Sequence, residues 1–306
     1  MSEHALTVFF ATRNRAHAIP RVLEAFTGLQ SPEAGWKLVV TDNGSSDGTL
    51  DVLEGFAGRL PLTILSCPKP GKNRALNLAL PELQGRLAVF TDDDVLPDAD
   101  WLVRLLAAAD EHPEADMFGG TVAPEWPRPK PDWLSEEVVE FSMLYSQQLR
   151  PSGPCGFADI FGPNMAIRAD IFRAGTRFAE HVGPDGTNPL YAMGSETELL
   201  RRLEMAGHRG WFEASARLRH IIRPEQMEEG WILERAFRYG AGEGRNYVAG
   251  SLPKDILRRV VYRIAAQGMR LMPHSPRRLR IRYRDRWLAG AAAGRQAPQQ
   301  GSAIPR

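Results

Sequence analysis

Cysteine is scarce in this 306-residue chain: Cys67 and Cys155 are the only two. Two thiols build no disulfide framework and their spacing suits no metal site, so a reducing compartment is the default expectation. Long apolar runs are missing as well. Nothing approaches the roughly 20 consecutive apolar residues of a membrane-spanning helix, so any contact with a bilayer is expected from one side. Met1–Phe10 has no basic leader followed by an apolar core and small residues, which argues against a signal peptide. No G-x-G-x-x-G follows the first strand-like run, which weighs against a dinucleotide oxidoreductase. Together these absences predict a cytoplasmic protein, at most peripheral on the inner face of a membrane.

Net charge is also nearly absent, at +1, but the balance is split along the chain. Residues 252–306 carry 13 Lys and Arg against Asp255 and Asp285, a net of +11. The preceding 251 residues carry 25 basic and 35 acidic residues, a net of −10. An acidic body is therefore joined to a basic tail, and the two call for separate explanations.

The first 120 residues alternate short apolar runs with helix-period stretches. Leu6–Ala11, Lys37–Thr41, Leu62–Leu65 and Leu87–Phe90 read as strands. Between them, Ile19, Val22, Leu23, Phe26 and Leu29 mark one buried helix face, and Leu50, Leu53 and Phe56 another. Asn73–Leu80 reads as a short helix, and Asp98 as the cap of a helix burying Trp101, Leu102, Leu105 and Leu106. Such alternation predicts a mostly parallel sheet covered by helices, with ligands beyond the carboxyl ends of its strands. Those ends carry Arg13-Asn14-Arg15, Asp42-Asn43 and Asp92-Asp93-Asp94. The prolines of residues 123–135 predict a surface loop; Ile160–Arg168 and Gly210–Ile222 read as later strands around a helix near Glu196–Ala206.

Three adjacent carboxylates repel unless a cation neutralises them. Asp92-Asp93-Asp94 therefore suits Mg²⁺ or Mn²⁺ shared with substrate phosphates, or else a solvated acidic turn. Asp42 fits a turn former as well as a ligand contact. Lys72 and Arg74 surround a helix start, where an anion such as a phosphate is favoured, though a solvated basic turn has the same composition. Glu196 and Glu198 open a helix, which suits its dipole and also suits a general base facing a cleft. His220 is either packing or a ligand, and histidine favours Mn²⁺ over Mg²⁺.

In order, VFFATRNR, VVTDNGSSDGT, PGKNRALNLAL, VFTDDDV, GPNMAIRADIF, GSETELLRRL and RLRHIIRPE resemble the family 2 glycosyltransferases of GT-A fold, over roughly residues 5–240. The resemblance implies a Rossmann-like α/β sheet, a nucleoside-diphosphate-sugar donor, a divalent Mn²⁺ or Mg²⁺, inversion at the anomeric carbon, and a saccharide or lipid-linked acceptor. By position it implies donor contacts at Thr12, Arg13, Arg15, Asp42, Lys72, Arg74, Asp92, Asp93 and Asn164. It implies Asp94 as direct metal ligand with Asp92 and His220 beside it, and Glu196 as catalytic base with Glu198 as second choice. Many members carry Glu-Asp at the base motif where this chain reads Ser195-Glu196. Processive members carry Gln-x-x-Arg-Trp; the nearest run here, Tyr283-Arg284-Asp285-Arg286-Trp287, lacks the glutamine, so transfer of one sugar per encounter is expected.

Residues 1–250 are accordingly expected to form the transferase domain, with a nucleotide-binding part to about 120 and an acceptor-side part beyond. Residues 251–306 are expected to be a basic helical extension, frayed from Gln296 onward. Its arginines, interleaved with Val260, Val261, Ile264, Leu271 and Met272, suit either packing on the acidic body or an anionic membrane surface through residues 252–287; nucleic acid is a weaker fit. Two other activities remain open on the sequence. One is a metal-dependent nucleotidyltransferase, disfavoured because Thr12–Arg15 contains no glycine. The other is a non-catalytic nucleotide-sugar-binding or assembly subunit.

Overall fold

The computed structural model describes residues 4–183, 193–246 and 252–296. They divide into two compact units. The first comprises Met1–Glu125, Tyr145–Thr187 and Gly194–Ile221; the second comprises Trp126–Leu144, Asn188–Met193 and Ile222–Arg306. The division thus differs from the expected cut at residue 250, and its reason lies in the helices of the second unit.

The first unit starts as a regular alternation. β1 (Leu6–Thr12) leads to α1 (Ile19–Thr27), β2 (Trp36–Asp42), α2 (Thr49–Phe56), β3 (Leu62–Ser66) and α3 (Lys72–Ala79). β4 (Leu87–Phe90) runs through the acidic triplet into β5 (Val95–Pro97), followed by α4 (Trp101–Glu111) and β6 (Met117–Glu125). β1, β2 and β4 are buried along almost their whole length, as strands covered on both faces must be. The expected faces of α1 and α4 are buried except at Leu29, beyond the end of α1, and Leu106, which are partly buried. Leu50 is exposed instead, because α2 begins at Thr49 and turns Thr49 and Leu53 inward. The residue capping α4 is Asp100, not Asp98, and no side chain serves as the cap; the Asp98 carbonyl accepts from the Trp101 amide.

β3, β2, β1 and β4 pair in parallel as expected. The remainder is mixed. After α5 (Phe141–Tyr145) and β7 (Gly153–Cys155), β8 (Met165–Arg168) runs antiparallel to β4 and β6. It is shorter than the expected Ile160–Arg168 because two 3₁₀ turns, Phe157–Asp159 and Gly162–Asn164, occupy its start. α6 (Ala169–Arg173) and α7 (Ser195–Met205) precede β9 (Gly210–Ile221), which pairs in parallel with β6 and antiparallel with β5 and β7. The sheet order is β3-β2-β1-β4-β8-β6-β9-β5, with β7 also on β9. Pro124 lies within β6 rather than in the proline-rich loop. β8 pairs only with Met117–Gly119, so at Pro124 β6 has a strand partner on one side alone, β9, and a proline is tolerated on such an edge.

In the second unit, α8 (Glu229–Asn246), α9 (Leu252–Met269) and α10 (Pro276–Gln296) follow one another. α8 and α10 approach closely through glycines four apart, Gly240 and Gly244 facing Gly290 and Gly294. A Cβ at Gly240 would collide with the Trp287 carbonyl, and one at Gly294 with that of Ala241. Helix α8 therefore packs on the basic segment instead of ending the preceding domain. No helix among the described residues is long and apolar enough to cross a membrane. The expected fraying beyond Gln296 lies outside the described residues.

Candidate active site

Strand register assembles the site. Phe9 of β1 pairs with Phe90 of β4, so the chain three residues beyond each brings Thr12 beside Asp93. The Thr12 hydroxyl donates to Asp93 at 2.8 Å. Thr12 also pairs with Asp42 at the end of β2. The loop after β1 is tied to the turn after β2: the Asn14 side chain accepts from the Ser46 amide at 2.8 Å, and its own amide donates to Ser45 Oγ at 2.9 Å. Asn14 holds a left-handed φ of 53°, a conformation asparagine tolerates better than most residues.

The carboxylates of the triplet are met by three cationic side chains, with Arg15 shared by Asp93 and Asp94. Asp92 lies 2.5 Å from Lys72 Nζ. Asp93 lies 3.2 Å from Arg15 Nε, and Asp94 lies 3.6 Å from Arg15 Nη2 and 3.3 Å from His220 Nε2. Lys72 Nζ is also 2.7 Å from Glu196 Oε1. One ammonium thus links the metal-type motif to the carboxylate at the start of α7. Burial alone would push Lys72 down, but Asp92 and Glu196 outweigh it and hold the lysine well above its ordinary pKa. Burial would likewise raise Glu196; Lys72 and the Ser195 hydroxyl, 2.7 Å from Oε2, hold it below the usual carboxylate range. Asp93 is pushed up to about 6, first by burial and then by the adjacent charge of Asp94. Burial opposes protonation of His220, yet Asp94 and the Tyr145 carbonyl, 2.7 Å from Nδ1, raise it above the ordinary histidine value.

Glu196 is confined from its other side as well. A Cβ at Gly162 would stand 2.8 Å from Glu196 Cδ, so only glycine leaves the carboxylate this position. Glu198 has a separate environment, paired with Arg202 one turn along at 3.0 Å. This matches the divergence of side chains two apart on a helix.

Other expected donor contacts are distributed unevenly. Asp42 is buried; Oδ2 accepts from the Ser45 amide at 3.2 Å, while Oδ1 has no hydrogen-bond partner. Arg13 is exposed on the loop after β1. Arg74 engages Glu180 at 3.0 Å and the Pro70 carbonyl at 2.7 Å. Asn164 requires a correction. It is fully buried, its amide donates to the Thr121 and Ala216 carbonyls, and its oxygen accepts from Trp101 Nε1. With both amide hydrogens and the oxygen engaged in the core, this side chain braces the site wall and is not available to a donor.

Two residues of motifs visible in the sequence, Asn43 and Gly162, have roles that the motifs did not show. Asn43 donates to the Cys67 and Lys69 carbonyls and accepts from the Gly71 amide, which fixes the turn carrying Lys72. Gly162 has the close-approach role described above. The Asp-Asn-Gly turn pointed to a tight bend, but no sequence signal showed which distant loop Asn43 would bind.

Among the described residues, no group of three or more His, Cys, Asp or Glu side chains is arranged to hold a metal ion. The chemistry of Asp94 and His220 nevertheless fits a divalent cation with mixed oxygen and nitrogen ligands, particularly one that takes its remaining positions from substrate phosphates.

The model of glycosyl transferase family 2 matches residues 7–176. The succinoglycan biosynthesis protein ExoM of Rhizobium meliloti is 26% identical over 247 residues, covering 76% of this chain and 72% of that protein. The glycosyltransferase AglE of Haloferax volcanii is 26% identical over 241 residues, covering 78% and 72%. Among solved structures, the mannosyltransferase PcManGT of Pyrobaculum calidifontis, in complex with GDP-Man and Mn²⁺, superposes with a TM-score of 0.62 at 19% identity, covering 96% of this chain and 88% of that one. The fold is thus GT-A, and the family match spans the β1 loop, the Lys72 turn and the acidic triplet; the chain belongs to glycosyl transferase family 2.

Proposed function

We propose that the chain transfers one sugar per encounter from a nucleoside-diphosphate sugar to a hydroxyl of a saccharide or lipid-linked saccharide, by a single inverting displacement with Glu196 as base. The observation that carries this reading is the largely buried Glu196 carboxylate, joined through Lys72 to the acidic triplet at the sheet's carboxyl edge. The naming of one relative for succinoglycan biosynthesis supports a polysaccharide or glycoconjugate product.

In this mechanism the acceptor oxygen attacks the anomeric carbon as its proton passes to Glu196. The new C–O bond forms while the bond to the diphosphate breaks, and the electron pair leaves with the nucleoside diphosphate. Ser195 fixes the carboxylate by its hydrogen bond to Oε2. Lys72, within reach of two carboxylates, is suited to turn its charge toward the donor diphosphate, which would release Glu196 from its ion pair. Asp42 retains a buried acceptor, Oδ1, for an N–H or O–H of the nucleoside. Asp94 and His220 would hold Mn²⁺ or Mg²⁺, with Asp92 nearby. When bound, that ion supplies positive charge opposite the leaving diphosphate.

The test pairs Glu196→Gln with Glu198→Gln. UDP-, GDP- and dTDP-linked sugars are supplied with a mixed saccharide and glycolipid acceptor pool, and nucleoside-diphosphate release is measured with and without acceptor. Glu196→Gln should lose at least about 100-fold in acceptor-dependent release, the lower end for a general base, while thermal stabilisation by the nucleoside diphosphate persists. Glu198→Gln should retain release. Near-wild-type transfer by Glu196→Gln would overturn the base, and release independent of acceptor in the wild type would favour a non-transferring binding protein.

A further inference from the structure

We propose that α9 is a membrane-docking helix, lying on an anionic phospholipid surface with an apolar stripe inserted and arginines on either flank at the level of the lipid phosphates. This goes beyond the reading of the catalytic site and does not depend on which carboxylate is the base.

Helix α9 presents its hydrophobic residues outward. Leu257, Val260, Val261 and Ile264 are each half exposed or more, and Leu271 and Met272 just beyond the helix continue the pattern. At 3.6 residues per turn the first four fall within about 100° of one another, on a single stripe. Ala266 lies about half a turn from the middle of that stripe and is buried. The inner side of α9 is therefore the one that meets α8 and α10, where Ala266 shares a cleft with Leu233. A solvated surface helix would place its apolar side there and its charges outside. In α9 the apolar stripe is outside along with the charges, and a contiguous exposed apolar stripe marks an interaction surface.

Charge identifies the occupant. Arg258 lies on one side of the stripe, and Arg263 and Arg270 lie on the other; all three are exposed. Arginines so placed bury their stems beside apolar chains and keep their guanidiniums at the polar boundary. Arg263 and Arg270 also join Arg282 and Arg286 around a shallow open cleft, where Asp285 is the acidic residue in the lining. Arg282 is held by Glu229 at 2.8 Å, and the exposed guanidiniums of Arg258, Arg263 and Arg270 beside the apolar stripe suit the phosphates of an anionic bilayer. A second copy of this chain would bring like charges together, and a neutral partner would leave these arginines uncompensated.

The test uses the full chain in sedimentation with vesicles of phosphatidylcholine, with or without phosphatidylglycerol. The wild type should bind phosphatidylglycerol vesicles at least tenfold more tightly, in order of magnitude, than neutral ones, and salt should weaken that binding. Val261→Asp with Ile264→Asp should lose roughly tenfold or more on anionic vesicles. Arg263→Ala with Arg270→Ala should lose a similar factor, with a flatter salt dependence. Because these side chains are exposed, melting temperature and stabilisation by nucleoside diphosphate should be unchanged, which separates lost docking from lost fold. No binding of the wild type to anionic vesicles, or equal binding by the double-aspartate variant, would overturn the proposal. A concentration-dependent dimer that the double-aspartate variant disperses, without vesicle binding, would overturn it in favour of a second copy.

Discussion

Two charge clusters of opposite balance occur in this protein, one in each compact unit. In the first unit, the carboxylates of Asp92, Asp93, Asp94 and Glu196 meet Arg15, Lys72 and His220. Acid exceeds permanent positive charge, and Lys72 is shared between two carboxylates. In the second unit, the single carboxylate of Glu229 meets Arg278 at 2.7 Å, Arg282 at 2.8 Å and His274 at 3.2 Å. There the cations exceed the acid. A cluster with surplus acid and a shared cation is suited to exchanging partners when a charged ligand arrives. A cluster in which one buried acid serves several arginines is a fixed tie between helices. The same residue types therefore perform opposite tasks, and substitutions should separate them.

The largest effect is expected from the fixed tie. Glu229 is nearly buried at the start of α8 and holds two arginines of α10. Glu229→Ala leaves those guanidiniums together without their acid, at a cost of about 3 kcal/mol, the lower end for breaking a buried pair. Denaturant unfolding should show that loss while nucleoside-diphosphate binding survives in the folded fraction. Unchanged unfolding would mean that the carboxylate is dispensable to the helix pair.

Lys72 should give a smaller effect of another kind. Lys72→Ala removes the charge that offsets burial at Glu196, so the pKa of that carboxylate should rise. The acidic limb of the kcat/KM profile, which reports the enzyme before the donor draws Lys72 away, should then move upward by about one unit or more, and transfer near neutral pH should fall by roughly 30-fold, or about 2 kcal/mol. An unmoved limb would show that Lys72 does not act on the base.

How much of this arrangement was legible in sequence follows from how local each interaction is. The strand–helix alternation, the buried faces of α1 and α4 and the position of the acidic triplet are local patterns, and they were readable. In the mixed half of the sheet β8 and β9 were readable as strands, but β5, β6 and β7 were not. β5 and β7 have three residues each, too few for a periodic signal, and β6 was obscured by the glycines and the proline within it. The role of Asn164 was misjudged because its partners, Thr121, Ala216 and Trp101, converge from three separate segments. Motif position already ranked Glu196 ahead of Glu198 as proposed base, but the surroundings that support it, Lys72 and Gly162, are both more than 30 residues away in sequence. The tail's composition was legible, but the direction of its apolar stripe depends on which side of α9 meets α8 and α10.

Asp93 tests the comparison with the smallest effect and the opposite sign. Its folded pKa of about 6 lies above the unfolded value of 3.8. A carboxyl group raised in this way binds its proton more tightly in the folded protein. Its contribution to stability is full below about pH 4 and is lost as pH rises through 6. At pH 7.5 the ionised group is a net burden, held in place by Thr12 and Arg15 against the repulsion of Asp94. Asp93→Asn should therefore stabilise the protein at pH 7.5 by about 1 kcal/mol, a rise of roughly 2–4 °C in melting temperature. The gain should vanish near pH 4, where the native side chain is already protonated. Removing one acid would then strengthen the cluster that has too many and weaken the one that has a single acid. Destabilisation of Asp93→Asn by equal amounts at both pH values would show instead that its bonds to Thr12 and Arg15 outweigh the repulsion, and that the triplet is as much a fixed tie as Glu229.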